Sequence, residues 1–349
     1  ADGTGSQVTP LTAVAVPSPQ TLYAKWEEGI FSSPSDFVFI TNSGSIVITK
    51  YVGLAGTVAI PSTINGYPVT GIAHAPNHTN GVFYGRTNLV SAIMPSSVTN
   101  VGNYAFVNCS GLTNVVIGTN VVSIGASAFS GCSRLNILVI PASVKNIGDS
   151  AFIHCNGLTS VAIPPSVTGI GAAAFSYCSR LTNIVIGTNV ANIETGMFSG
   201  CISLVCATIP SSVNNIGEYA FEGCAALASV TIPASVINVG DYSFWHCSGL
   251  TNVVIGNGVA SIGSYSFYNC IDLKNVEFGD SVTNIGPAAF SGCSNLVNVV
   301  VPSRVRGIGS NAFFSCISLT NVVLGSSVTA ITPHVFDGSG QLKNILIPA

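Results

Sequence analysis

Apolar and polar positions recur along most of this chain on a 23-residue clock. Phe83 opens a column that continues at every twenty-third residue to Phe336, and Leu89 opens another that runs to Leu342. The unit reads V-T-x-I-G-x-x-A-F-x-x-C-x-x-L-T-x-V-x-I-P/G, and coils differ almost only at the x positions. A unit this short cannot bury its own apolar face, so it must stack on its neighbours, which predicts a solenoid. Within one coil, Leu112, Val115 and Ile117 have the spacing of a short strand entered from a turn. Val115 and Ile117 share one face by the two-residue period, and Asn114 and Val116 share the other. Gly118, Pro141 and Pro164 end their strands. Ile124-Gly125 then leads into Ala128-Phe129-x-x-Cys132-x-x-Leu135, whose three-residue steps predict a short helical or 3-10 turn. Strands stack about 4.8 Å apart, whereas packed helices need roughly 8–10 Å. That mismatch predicts a bent stack, with a parallel β-sheet on the concave face and the turns on the convex face.

Two segments precede the regular coils. Val58-Ala59-Ile60-Pro61 and Val69-Thr70-Gly71-Ile72 match the unit, followed by about six extra residues around His74–Asn80. Phe37–Ile40 and Ser45–Tyr51 alternate about a turn at Asn42-Ser43-Gly44, predicting a hairpin over residues 29–57 that covers the open edge of the sheet. The solenoid then occupies 58–349 as about twelve coils.

The segment I-P-x-S-V-x-x-I-G-x-x-A-F-x-x-C-x-x-L, as from Ile140 to Leu158, resembles the BspA-like class of bacterial leucine-rich repeats, over residues from about 58 to 349. The resemblance implies a leucine-rich-repeat-like fold and an extracellular or cell-surface protein used in adhesion or partner binding. Departures are few: Arg86 and Ser339 stand where the first and last Cys would be, and Glu194 and Thr332 replace the Gly of the I-G pair. Thr21-Leu22-Tyr23-Ala24-Lys25-Trp26 resembles the closing strand of the internalin-type B-repeat, a small β-grasp module. Residues 1–28 are therefore expected to be the remnant of a preceding module or a linker, and the chain a piece of a longer one.

Composition removes several functions. Hydrophobic residues make 48% of the chain and charged residues only 7%, against roughly 25% charged in ordinary domains. Ten Lys and Arg against thirteen Asp and Glu leave no basic footprint for nucleic acid. No apolar run approaches the roughly 18–20 residues of a membrane span, so no membrane insertion is expected. The surface must be built from Ser, Thr, Asn and Gly.

Four sets of residues remain as candidates for chemistry or binding. Cys109, Cys132, Cys155, Cys178, Cys201, Cys224, Cys247, Cys270, Cys293 and Cys316 keep the repeat phase, so they point the same way and predict a buried ladder of free thiols. Cys206 is out of phase, in the Asn114 column, and is expected to be an accessible thiol. His74, His78, His154, His246 and His334 have no nucleophile or carboxylate partner in a catalytic arrangement and no metal-ligand spacing; no cofactor or metal is expected, and no enzyme. The concave face carries Val116, Val139, Val185, Val254, Glu277, Val300 and Val323 beside Asn183, Asn252, Asn275, Asn298 and Asn321. Such a nearly uncharged strip of apolar and amide side chains either marks an interaction surface or stabilises the sheet by cross-strand pairing. The partner expected there is an extracellular protein or glycoprotein. Finally, Tyr219, Tyr242 and Tyr265, with Trp245 and Tyr268, form an aromatic patch that could stack on a glycan. The bland alternative is that these rings fill gaps between turns. A structural spacer displaying other domains is the remaining function.

Overall fold

The computed structural model describes residues 32–75 and 80–347. The B-repeat-like remnant at 1–28 and residues 76–79 of the insertion, His78 included, lie outside the described residues.

The chain forms a parallel β-solenoid of stacked coils. Each regular coil contributes two short strands. The first is the L-x-x-V-x-I strand, for example Asn114–Val116, Asn183–Val185 and Asn298–Val300. Neighbours pair in parallel at a step of one repeat, as Asn183 with Cys206 and Asn298 with Asn321, in four successive blocks of three or four strands that together make the first sheet. The second is the x-I of the V-T-x-I-G segment, as Ser123–Ile124, Asn146–Ile147 and Gly169–Ile170, and it forms a second parallel sheet.

Where the three-residue steps predict a helical or 3-10 turn, the described residues form linked turns instead. Ala105, Val107 and Cys109 donate their N–H groups to carbonyls three residues back, at 3.2–3.4 Å. Between them, Tyr104, Phe106 and Asn108 donate to Ala126, Ala128 and Ser130 of the next coil, at 2.7–2.9 Å. The three-residue bonds are real, but every second amide is spent between coils, so no continuous helix forms. Two left-handed residues per coil allow the alternation, such as Tyr104 (φ 60°) and Asn108 (φ 58°). Because this segment hydrogen-bonds from coil to coil as the strands do, the helix–strand spacing mismatch expected from the sequence does not arise.

The core is one continuous row. Phe rings from Phe83 to Phe336 stack with centroids 4.4–6.0 Å apart. Leu, Cys, Val and Ile columns surround it and are buried through the regular coils.

At the N-terminal end, β1 (Phe37–Asn42) and β2 (Ser45–Tyr51) form an antiparallel hairpin about Ser43 (φ 46°) and Gly44 (φ 81°). That left-handed pair matches the twist of the strands. β2 continues the second sheet by pairing with Tyr67–Ile72, and Tyr51 extends the ring stack, 5.2 Å from Phe83. Arg86 departs from Cys here because it serves the hairpin: its Nη2 donates to the Tyr51 carbonyl at 2.6 Å and its cation lies 5.4 Å from the Tyr51 ring centroid.

The two replacements in the I-G column have structural consequences. In regular coils the Gly N–H donates to the Ile or Val carbonyl of the preceding coil, as Gly148 to Ile124 at 2.8 Å. A Cβ at Gly148 would stand 2.5 Å from the Ala126 nitrogen. Where Glu194 brings a Cβ to this position, the second sheet divides into two blocks, one ending at Gly169–Ile170 and the next starting at Asn192–Ile193. At Thr332 the side-chain hydroxyl donates instead, to Ile308 at 2.7 Å.

Candidate functional site

All ten in-phase cysteines are free and buried. Each donates its Sγ–H to the carbonyl of the Phe 26 residues earlier, at 3.0–3.3 Å. Those carbonyls already accept a backbone N–H from their own coil, as Phe106 does from Cys109 at 3.2 Å. Ser339 fills the last place in the column by the same bond, from its hydroxyl to Phe313 at 3.1 Å. Burial pushes the Cys109, Cys201 and Cys316 thiols up to about 12 and the others well above their ordinary value. These groups are core, with no nucleophilic character.

The outward face of the first sheet is open. Along most of these strands the central residue is buried and its flanks face outward, as in Asn298-Val299-Val300; Val276 is only half-buried and Ile345 is exposed. Val139, Val185 and Val300 are 66%, 53% and 62% exposed. Val116, Val254 and Val323 are half-buried in the same column. Asn183, Asn275, Asn298 and Asn321 are exposed and Asn252 is half-buried. The strand register brings the amides side by side. Asn321 Nδ2 donates to Asn298 Oδ1 and Asn344 Nδ2 to Asn321 Oδ1, both at 2.8 Å. Glu277 is exposed within the same face, beside Val254 in the pairing. The exposed Ile137 enlarges the apolar part. Ile137 lies in the Asn114 column, so its place was readable from the repeat. Cys206 is exposed, as its column predicts.

The aromatic patch is a stack of rings from neighbouring coils. Tyr219, Tyr242 and Tyr265 stack on one another at 4.9 and 5.0 Å, nearly parallel. Trp245 meets Tyr242 edge-on at 6.2 Å, and Tyr268 is tilted 5.6 Å from Tyr265. Both faces of Tyr242 are thus covered by its neighbours, and all five residues are half-buried. Stacking a pyranose needs a free ring face, so this arrangement favours the filling of gaps between turns.

The described histidines lie on different coils: His74 against Asn103, His154 stacked on Tyr177 at 4.9 Å, His246 beside Trp245, and His334 paired with the exposed Asp337 at 2.6 Å. Among the described residues no group of three or more His, Cys, Asp or Glu could hold a metal ion, and no helix is long and apolar enough to cross a membrane.

The family model described as BspA type leucine rich repeat region matches residues 78–205, 168–297 and 260–349. Among solved structures, a leucine-rich repeat protein from Bacteroides ovatus is 27% identical, with a TM-score of 0.60 over 91% of this chain and 94% of that one. A leucine rich cell surface protein from Faecalibacterium prausnitzii is 29% identical, with a TM-score of 0.56 over 93% and 96%. A leucine-rich repeat protein from T. pallidum is 28% identical, with a TM-score of 0.52 over 63% of this chain and 90% of that one. No curated protein matches the chain.

Proposed function

The chain belongs to the BspA-type leucine-rich repeat family, and from that premise we propose that it is a non-enzymatic cell-surface or secreted protein that holds a protein or glycoprotein partner on the outward face of its first sheet. The observation that carries this reading is the exposed Val139, Val185 and Val300 column beside the Asn rows, with Glu277 the one charge in that column. Apolar residues that share one column of a sheet face, interrupted here only by Thr208, Thr231 and Glu277, make a larger patch than singly scattered ones and point to a partner. The similar protein from Faecalibacterium prausnitzii is described as a cell surface protein, which supports the location.

The test is binding to a panel of immobilised extracellular glycoproteins. Val254→Lys and Val300→Lys are expected to abolish binding, and Trp245→Ala and Tyr268→Ala to leave it intact. Raising salt from about 0.1 to 1 M shortens the Debye length from ~10 to ~3 Å, so a mainly apolar contact should survive it. Loss of binding in Trp245→Ala alone, with both Lys variants active, would sink the first-sheet reading.

A further inference from the structure

The second sheet carries a trough that the partner-binding face does not use. It has a volume of about 490 Å³ and crosses the coils at residues 123–126, 146–149 and 169–171. The Ile side chains of these coils are buried, so the floor is backbone and the glycine column. Those glycines are dictated by stacking: a Cβ at Gly125 or Gly148 would lie 2.5 Å from a nitrogen of the coil before. Stacking therefore strips the floor of side chains and leaves a flat channel along the solenoid.

Polar groups line its two sides. Ser123 and Asn146 stand on the strand side, Asn103 and Asp149 on the turn side. Asn103 Oδ1 accepts the Ala126 N–H at 2.8 Å, and Asp149 Oδ1 accepts the Ala172 N–H at 2.9 Å. Each side chain is thus fixed by the next coil, leaving the Asn103 amide hydrogens and the second Asp149 oxygen for a ligand. His74 closes one end, its Nδ1 accepting the Asn103 N–H at 3.1 Å. At the other end the ladder breaks where Glu194 replaces glycine.

The lining decides between ligand classes. An extended peptide rises about 3.3 Å per residue and needs pockets for alternate side chains. A glycine floor offers no such pockets, and that rise falls out of step with coils about 4.8 Å apart. A β-linked pyranose chain is flat, advances by close to one coil spacing per sugar, and presents hydroxyls to both sides at each step. On the turn side polar groups stand at every second coil, Asn103 and Asp149 with Ala126 and Ala172 between them, and a β-1,4-linked chain, whose sugars alternate in facing, presents the same edge at every second sugar. We propose that this trough binds an extended, linear, neutral β-linked oligosaccharide lying along the stack, one sugar to a coil.

The full chain would be titrated with cellohexaose and chitohexaose, and with maltohexaose, whose α-linkages make the same glucose units coil. Saturable binding of at least one extended hexaose is expected, about tenfold or more tighter than maltohexaose. Gly169→Trp should abolish it by placing an indole in the trough. Other coils carry Asn146, Asn192 and Asn215 in that column, so the backbone accepts a side chain there, with the Asn146 amide yielding slightly to a Cβ that would stand 3.0 Å from its Oδ1. Gly169→Asn is the folding control and should melt with the native protein. If Gly169→Trp fails to fold, Asn146→Ala decides, with an expected loss of about tenfold. The proposal is overturned if neither extended hexaose binds, if maltohexaose binds equally, if binding survives in folded Gly169→Trp or in Asn146→Ala, or if only a peptide of equal length binds. Val300→Lys should leave sugar binding unchanged, so failure here is distinct from failure of the first-sheet reading.

Discussion

At the level of single residues, the cysteine column answers a need for a small buried donor. A thiol reaches the second lone pair of a Phe carbonyl without demanding an acceptor of its own, and Ser339 does the same with oxygen. Cysteine burial and direction were readable from the repeat phase. The carbonyl partner was not, because it belongs to the coil before. Since burial holds the thiols protonated, a native sample should show about one group reactive toward a disulfide reagent, Cys206. All eleven should react after unfolding. Several fast-reacting groups in the native state would contradict the ladder. A second residue-scale contact lies in the left-handed column, where the Tyr177 ring lies over Gly200 of the next coil. A Cβ at Gly200 (φ 71°) would stand 2.5 Å from the Tyr177 ring. Gly200→Ala should cost about 1–2 kcal/mol from backbone conformation alone, and more from the ring. Adding Tyr177→Ala should return the steric share, seen in chemical denaturation as a coupling of at least about 0.5 kcal/mol. Additive losses would show that the ring simply moves aside.

The strands and turns were legible in unequal degree. The L-x-x-V-x-I strand and the hairpin turn at Ser43-Gly44 are signalled by period and by turn chemistry. The second strand was read as a lead into the convex turn, because two residues are too few to show a period. Asn65-Gly66, left-handed at both residues between Ile64 and Tyr67, makes a tight turn that its Asn-Gly signature could have disclosed. The turns kept the predicted three-residue bonds but lost the helix to bonds between coils, a competition no single repeat can reveal. The candidate face was legible column by column, whereas the aromatic patch was not: only the stacking shows that both faces of Tyr242 are covered. Glu194 was visible as a departure, and the division of the second sheet coincides with it. Gly148→Glu should therefore create a second seam, costing about 1–3 kcal/mol as overpacking. Hydrogen exchange should quicken at the Ile124 and Ile147 coils and stay slow beyond Gly217. Unchanged protection at those coils would mean that the column tolerates a Cβ and that the existing division has another cause.

Along the described solenoid the core is a single row in which every regular coil adds the same Phe and Leu, and all but the first and last add a Cys, so small effects repeated per coil add up. The thiols supply the clearest case. In the unfolded chain they ionise near their ordinary value of about 8.5. In the fold, burial holds them protonated up to about 12 at Cys109, Cys201 and Cys316, and raises the others well above their ordinary value. The folded state binds the proton more tightly, so this contribution is fully present below about pH 8.5 and is lost as pH rises toward the folded values. Each buried thiol then costs about 1.4 kcal/mol of stability per pH unit. Ten of them acting together amount to on the order of 14 kcal/mol by about pH 9.5, comparable to the whole stability of a typical domain. In a solenoid that sum is shared among coils that contact only their neighbours, so the loss should appear as early melting at alkaline pH and not as a shifted core. Melting followed by circular dichroism under a thiol reductant, from pH 7 to pH 10, should show a flat Tm up to about pH 8.5 and a steep fall beyond it. Replacing several ladder cysteines by serine, as Ser339 already does naturally, should flatten that fall, because a hydroxyl has no such ionisation. A Tm that stays level to pH 10 in the native chain would mean that the thiols do not titrate on unfolding and would remove the buried ladder as a source of stability.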